Sequence, residues 1–170
     1  MVEAITFQTI FQFLQTISIM VGIVYYLMIL QNQQKSQQQA LDTRQAQLLM
    51  QIYNRWDNPE RCKAFTEIWN WDEWTTFEEF YNQMTPEKWV TLNSLVLFFE
   101  GLGVLIRTKK VEVNDLYLLL GGTTIGILER FIPILPEIRE NIGYPTYMSE
   151  TKYLYNEFVK YKEKHPDLMQ

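Results

Sequence analysis

The sequence AITFQTIFQFLQTISIMVGIVYYLMILQNQQ, residues 4–34, contains no charged side chain. The hydrocarbon core of a bilayer, roughly 30 Å thick, requires about 20 mostly apolar helical residues, and the window Ile10–Met28 supplies this length. A signal peptide would carry basic residues before its apolar run and a small-residue cleavage site after it, whereas Glu3 precedes this run and glutamines follow it. We therefore predict an N-terminal transmembrane helix within residues 1–34. The alternative is a buried core helix of a soluble protein, although such helices are usually shorter.

Five residues of this span share one helical face because they are spaced by three or four positions. They are Gln8, Gln12, Gln15, Ile19 and Gly22. Amide side chains in a bilayer form hydrogen bonds across helix interfaces, and a small residue lets two backbones approach each other. We predict that this face is a transmembrane interface with a second copy of the chain or with other membrane proteins. In the alternative interpretation, the outermost glutamines lie in the headgroup layer and contact only water.

The charge distribution limits the location and the partners of the protein. No Lys or Arg precedes the span, whereas Lys35 and Arg44 follow it, so the bias of basic residues predicts a cytoplasmic C-terminal domain. The net charge of −5 argues against a nucleic-acid-binding protein, which would carry a basic surface. The single Cys62 excludes an intramolecular disulfide framework and a Cys-rich zinc site. We predict no cofactor and no metal, and a lipid bilayer as the first partner.

Residues 31–56 contain no Pro or Gly and are rich in helix-forming residues, glutamine above all. The membrane helix is therefore expected to continue beyond the bilayer as a helical stalk. A helix unbroken from Phe7 to Trp56 would be about 75 Å long at 1.5 Å per residue. The predicted organisation is a transmembrane anchor over 1–34, a helical stalk over 35–56 and a helical bundle domain over 57–170.

Capping residues divide the C-terminal domain into helices. A helix begins where an Asn or Thr side chain accepts hydrogen bonds from the first free backbone N–H groups. The predicted caps are Asn58, Thr76 with Glu79 as a capping box, Thr85 and Thr146. The predicted helices cover residues 59–70, 77–84, 86–107, 114–132, 136–141 and 147–164.

The helices 86–107 and 114–132 are the most apolar after the span, and a charged turn joins them. We predict that this helical hairpin forms the core of a soluble bundle. The alternative is a membrane hairpin, but Glu100 interrupts the first helix, and Glu129 with Arg130 closes the second. The predicted fold class is all-α, with a single transmembrane helix, a helical stalk and a small bundle of five or six helices.

An acidic segment rich in tryptophan follows the first helix of the domain. Its central residues are Trp69, Trp71, Asp72, Glu73 and Trp74. Aromatic and acidic side chains together are suited to a surface that faces a basic partner. The alternative, which the composition favours, is that the tryptophans lie in the core and the acids on a solvated face.

Glu100 and Glu129 are the candidates for acid–base chemistry or ion binding because they are carboxylates within apolar helices. No nucleophile motif or metal-ligand spacing accompanies them. We expect buried charge pairing instead, with Arg130 or another nearby arginine, because an unpaired buried charge is costly. The sequence therefore predicts no catalytic residue and a protein that is not an enzyme.

Four short motifs resemble those of a known family. They are Phe98–Gly103 (FFEGLG), Val111–Val113 (VEV), Glu129–Phe131 (ERF) ahead of Pro133 and Arg139, and Gly143–Pro145 (GYP) ahead of an aromatic last helix. In these motifs the chain is similar to a prokaryotic family of domain-of-unknown-function proteins with one N-terminal membrane span and a small all-helical domain. The resemblance implies a fold and membrane anchoring, but no activity.

The leading functional hypothesis is a non-enzymatic, membrane-anchored scaffold or interaction module that oligomerises through its span and stalk. The first alternative is an accessory subunit of a larger membrane complex. The second is a carboxylate-based enzyme or ion-binding effector that uses Glu100 and Glu129.

Overall fold

A computed structural model describes residues 7–169, which form α-helices joined by short turns and contain no β-strand. This confirms the all-α prediction. The helices are α1 (Phe7–Trp56), α2 (Pro59–Trp69), α3 (Phe77–Asn82), α4 (Pro86–Arg107), α5 (Val113–Phe131), α6 (Leu135–Ile142) and α7 (Ser149–Lys164), followed by a 3-10 turn (Pro166–Met169).

Helix α1 runs without a break from Phe7 to Trp56, through residues 7–34 of the predicted anchor and the whole predicted stalk, while residues 1–6 of the predicted anchor lie outside the described residues. The hydroxyl groups of Thr16 and Ser18 donate to the backbone carbonyls of Gln12 and Leu14, each 2.9 Å away, so these polar groups are satisfied within the helix. Backbone contacts divide the chain into two units, Met1–Arg44 and Gln45–Gln170. The end of α1 thus belongs to the C-terminal unit, in which Ile52 is buried.

The predicted helix starts of α2, α3 and α4 are confirmed. Asn58 accepts a hydrogen bond from the N–H of Glu60, and Thr85 accepts one from the N–H of Lys88. Thr76 and Glu79 form both bonds of the capping box. These starts follow from short-range geometry alone, because each cap bonds to an N–H only two or three residues away.

The prediction that Thr146 caps the last helix is wrong. Helix α7 begins at Ser149, and the residue before it, Met148, has a left-handed backbone with φ of 57° and a fully buried side chain. No side chain of this local segment caps the helix. Burial of Met148 therefore determines where α7 begins, at the cost of an unfavourable backbone conformation.

The core of the C-terminal unit forms where α4 packs on α7 and α2, and where α5 packs on α7. At one end, Phe80, Phe131 and Trp74 pack together with ring centroids 5.2–5.9 Å apart. At the other, α4 and α7 approach so closely that a Cβ atom on Gly103 would overlap the backbone of Glu150. Glycine is required at this crossing.

By length and composition, α1 and α4 could each cross a membrane, and α5 with α6 passes the same test as a pair bent by 64°. The two single helices differ in burial. None of the most apolar window of α1 is buried, whereas 39% of the α4 window is buried by other helices.

Candidate functional site

The predicted transmembrane interface lies on a fully exposed part of α1. Gln8, Gln12, Gln15, Ile19 and Gly22 are all exposed. Within the described part of the chain, no hydrogen bond reaches the three glutamine side chains, and a Cβ atom on Gly22 would find no other atom within 4 Å. This face therefore has amide groups without partners and room for a second backbone.

The acidic and aromatic segment divides between core and surface. Trp71 is buried and Trp74 is half-buried, while Trp69, Asp72 and Glu73 are exposed. The core interpretation therefore holds for two of the three tryptophans, and the acids lie on a solvated face. Trp71 has almost no surface left for a partner, and a partner surface that includes the exposed Trp69, Asp72 and Glu73 stays a prediction.

Arg130 is not part of a buried ion pair. Its guanidinium donates to the backbone carbonyls of Ile68, Trp69, Trp71 and Asp72 over 2.8–3.2 Å, at and beyond the C-terminus of α2. It also lies 4.3 Å from the ring centroid of Trp74, whose indole N–H donates to the Arg130 carbonyl. Partial burial lowers the pKa of Arg130 and the charge of Glu73 opposes this, but an arginine remains charged. Arg130, although it lies on α5, thus caps the C-terminal end of α2.

Glu100 and Glu129 are also placed differently from the prediction. Glu129 is exposed, so it is not a buried charge. Glu100 is half-buried, and its carboxylate accepts the N–H groups of Thr151 (3.0 Å) and Glu150 (3.4 Å). The first turn of α7, not an arginine, compensates the charge of Glu100, because free N–H groups and the helix dipole stabilise an anion there. The two glutamates do not form the shared buried site that the enzyme hypothesis requires.

Sequence reasoning missed a cavity that opens beside Glu100. Its volume is about 640 Å³, within the range of small-molecule sites. Helix α4 forms one wall, and the end of α6 with the loop up to Met148 forms the other. Trp89, Asn93, Val96, Leu97, Glu100, Ile142, Tyr144, Thr146, Tyr147 and Met148 line it. The only sequence signals were Glu100 and the GYP motif, which lie 43 residues apart and do not indicate a shared wall.

Hydrogen bonds fix the polar side chains of this cavity in place. The Tyr147 hydroxyl donates to Asn93 Oδ1 at 2.8 Å, and the Asn93 amide donates to the Trp89 carbonyl at 2.9 Å. Arg139 Nε donates to the Tyr147 carbonyl at 2.8 Å, which fixes the loop. Burial, and to a lesser extent the charge of Glu100, raises the pKa of Tyr147 to about 12. Tyr147 is therefore neutral at physiological pH.

The pKa of Tyr147 predicts a loss of stability in strong alkali. Between pH 10 and 12 the unfolded chain loses the phenolic proton while the folded chain keeps it, so the free energy of unfolding falls by about 2 to 3 kcal/mol from this group. Below pH 10 this group adds no pH dependence. The measurement is denaturant unfolding of wild type and Tyr147→Phe at several pH values, with the exposed Tyr144→Phe as control. Parallel pH curves for wild type and Tyr147→Phe would contradict the prediction.

A second concave surface, of about 580 Å³, lies between the end of α1 and the start of α5. Its lining is almost entirely apolar: Ala46, Leu49, Met50, Tyr53, Leu118 and Leu119, with Asp115 at the edge. Met50, Tyr53, Leu118 and Leu119 are all exposed. We refer to this surface as the stalk groove. Exposed apolar side chains that are contiguous in this way are typical of protein interfaces.

Among residues 7–169, no group of three or more His, Cys, Asp or Glu side chains is arranged to hold a metal ion. No protein-family model, curated protein or solved structure matches the chain.

Proposed function

We propose that this chain is a non-enzymatic, single-pass membrane-anchored scaffold or interaction module that oligomerises through its span and stalk. The observation that carries the proposal is the complete exposure of the apolar half of α1. Aromatic and aliphatic side chains are exposed all around this helix, among them Phe11, Leu14, Met20, Val24 and Tyr26. Burial of such a surface in lipid removes it from water, which favours membrane insertion by a large margin.

One span is favoured over two because the two candidate helices differ in their surroundings. Helix α4 packs on α7 and α2, and Glu100 in its centre bonds to the first turn of α7. Insertion of α4 into lipid would separate these groups and leave a carboxylate in hydrocarbon, which is costly. We therefore assign α2–α7 to a helical bundle outside the membrane. Lys35 and Arg44 favour a cytoplasmic bundle, and Tyr25 and Tyr26 fit the headgroup layer at that end of the span.

Oligomerisation is supported by two separate surfaces. In the span, the amides of Gln12 and Gln15 lie within the apolar window, where a neighbouring helix offers hydrogen-bond partners and lipid offers none, and Gln8 lies one turn further out on the same face. In the C-terminal unit, the stalk groove exposes apolar side chains of α1 and α5. A second copy of the chain is the occupant that we propose for both surfaces. Membership of the domain-of-unknown-function family is likewise a proposal, which rests on the four motifs.

The glutamine face provides the decisive test. Replacement of Gln8, Gln12 and Gln15 by leucine is expected to weaken self-association roughly 20-fold, since each interhelical amide contact contributes about 0.6 kcal/mol in a membrane. Association is measured by energy transfer between differently labelled full-length chains in liposomes at varied protein-to-lipid ratios. The matched control is leucine at Gln31, Gln33 and Gln34, the same number of changes between the apolar window and the predicted stalk. Equal association of both triple variants would contradict the proposed interface.

The accessory-subunit alternative predicts a different outcome in native membranes. Mild crosslinking, affinity purification and mass spectrometry of the full-length protein would yield only this chain if it forms a homo-oligomer. Other membrane proteins at a fixed ratio would contradict the homo-oligomer and identify the chain as a subunit of a larger complex.

A further inference from the structure

We propose that the cavity beside Glu100 binds a primary amine that carries an apolar body. The proposal is independent of oligomerisation, because a single chain supplies all the lining residues. The cavity combines the two properties of a small-molecule site, a mainly apolar wall and a few convergent polar groups. Its volume of about 640 Å³ accommodates a ligand of drug-like size.

The hydrogen bonds already made in the cavity determine which polar group a ligand must bring. Tyr147 has used its only proton on Asn93, and Asn93 has used one amide proton on Trp89. Each Glu100 oxygen accepts one backbone N–H and retains a further lone pair. The unused capacity of these three side chains is therefore mainly that of acceptors. An ammonium group, with three donors and no acceptor, complements them.

The charge of the cavity lining also favours an ammonium group. Glu100 is the only charged side chain that lines the cavity, and no Lys or Arg is among the lining residues. The nearby Arg139 keeps its positive charge, since the Tyr147 carbonyl to which it donates is neutral, but it does not line the cavity. Although the first turn of α7 partly compensates Glu100, the site retains negative charge and would reject a carboxylate or phosphate.

Aromatic and aliphatic side chains define the remainder of the ligand. Trp89, Tyr144 and Tyr147 are aromatic members of the lining, a residue type that binds cations as well as apolar groups. Leu97, 72% exposed, and Tyr144, 57% exposed, are accessible large apolar side chains of the lining. An apolar ligand body would cover them and bring this surface out of water.

The test uses the full-length protein in nanodiscs and three matched probes: 4-phenylbutylamine, 4-phenylbutan-1-ol and 4-phenylbutyrate. Binding is measured by isothermal titration, with empty nanodiscs subtracted. We expect the amine to bind at least tenfold more tightly than the alcohol and the carboxylate. Equal affinity of amine and alcohol, or no binding of the amine above the empty nanodisc, would overturn the proposal.

Two variants locate the site. Ile142→Lys places a positive charge in the cavity lining and is expected to weaken amine binding at least fivefold, while Thr66→Lys, the same change of charge on exposed α2, should leave it unchanged. Glu100→Gln removes the negative charge but keeps one acceptor for α7. It should also weaken binding of the amine while it leaves binding of the alcohol largely unchanged. Because Glu100→Gln also weakens the cap of α7, the Ile142→Lys result decides the outcome if that variant is unstable. Equal amine affinity in Ile142→Lys and wild type would place the amine elsewhere and overturn the proposal.

Discussion

Replacement of Arg130 by methionine is expected to lower the free energy of unfolding by about 3 to 4 kcal/mol. The guanidinium donates to four backbone carbonyls and stacks on Trp74. Hydrogen bonds from charged donors contribute about 1.5 to 3 kcal/mol each, and the total here is smaller than their sum because the bonds are shared and partly exposed. The removal leaves the carbonyls of Trp69, Trp71 and Asp72 without this donor, whereas that of Ile68 keeps the N–H of Trp71. Loss of such a hydrogen-bond network is one of the few mechanisms of severe destabilisation.

The measurement is the thermal unfolding of the full-length protein in detergent, followed by circular dichroism. A loss of this size corresponds to about 10 to 15 °C in the midpoint for a domain of this length. Arg130→Lys should fall between wild type and methionine, because one ammonium group cannot reach all four carbonyls. The control is Arg107→Met, whose ion pair with Glu150 and contact with the Tyr153 ring lie at the surface and are screened by water, so a much smaller loss is expected. Similar losses for Arg107→Met and Arg130→Met would contradict the assigned role of Arg130.

Gly103→Ala is expected to cost about 3 kcal/mol, the upper part of the range for added volume in a packed core. A Cβ atom at this position would lie 2.6 Å from the carbonyl carbon of Glu150 and 2.9 Å from its Cβ atom. Because the obstacle is backbone, no rotation of a side chain can relieve the overlap, and α4 and α7 must separate. The separation would also lengthen the hydrogen bonds from the start of α7 to Glu100.

Gly101→Ala is the matched control for this change. Gly101 lies on the same helix but is exposed, and an added Cβ atom would meet nothing within 4 Å. There alanine should stabilise the protein by up to about 1 kcal/mol, because glycine is a poor helix former. The two variants should therefore differ in sign, which denaturant titration resolves. The same sign for both would mean that helix propensity, not the crossing, governs Gly103.

The accuracy of the sequence predictions depended on how far apart the interacting residues lie. The caps at Asn58, Thr76 and Thr85 bond within three residues and were predicted, that of Thr76 together with its partner Glu79. The continuity of α1 was also predictable, since each of its hydrogen bonds is local and no Pro or Gly interrupts residues 31–56.

Interactions across the fold were not predictable in the same way. Arg130 reaches carbonyls 58 to 62 residues earlier, and Glu100 bonds to N–H groups 50 and 51 residues later. From the sequence, an arginine was predicted as the partner of a buried glutamate. The start of a helix, which also carries backbone donors without partners, was not considered. The start of α7 was misplaced for the same reason, because a local threonine was assumed to supply a cap that comes from α4.

Glu100, which lies on α4, caps the start of α7. This has a consequence for the biosynthesis of the chain. The apolar window of α1 leaves the ribosome first, and α4 follows with enough hydrophobic residues to be mistaken for another span. Helix α2 is already made and can cover part of α4, but Glu100 and the surface that packs on α7 find their complement only when α7 has been made, several seconds later at about 5 to 20 residues per second. Under the proposed single-span topology, the nascent chain then has two apolar helices of which only α1 should enter the bilayer. A delay between the translation of α4 and that of α7 is therefore expected to increase the share of chains in which α4 also inserts.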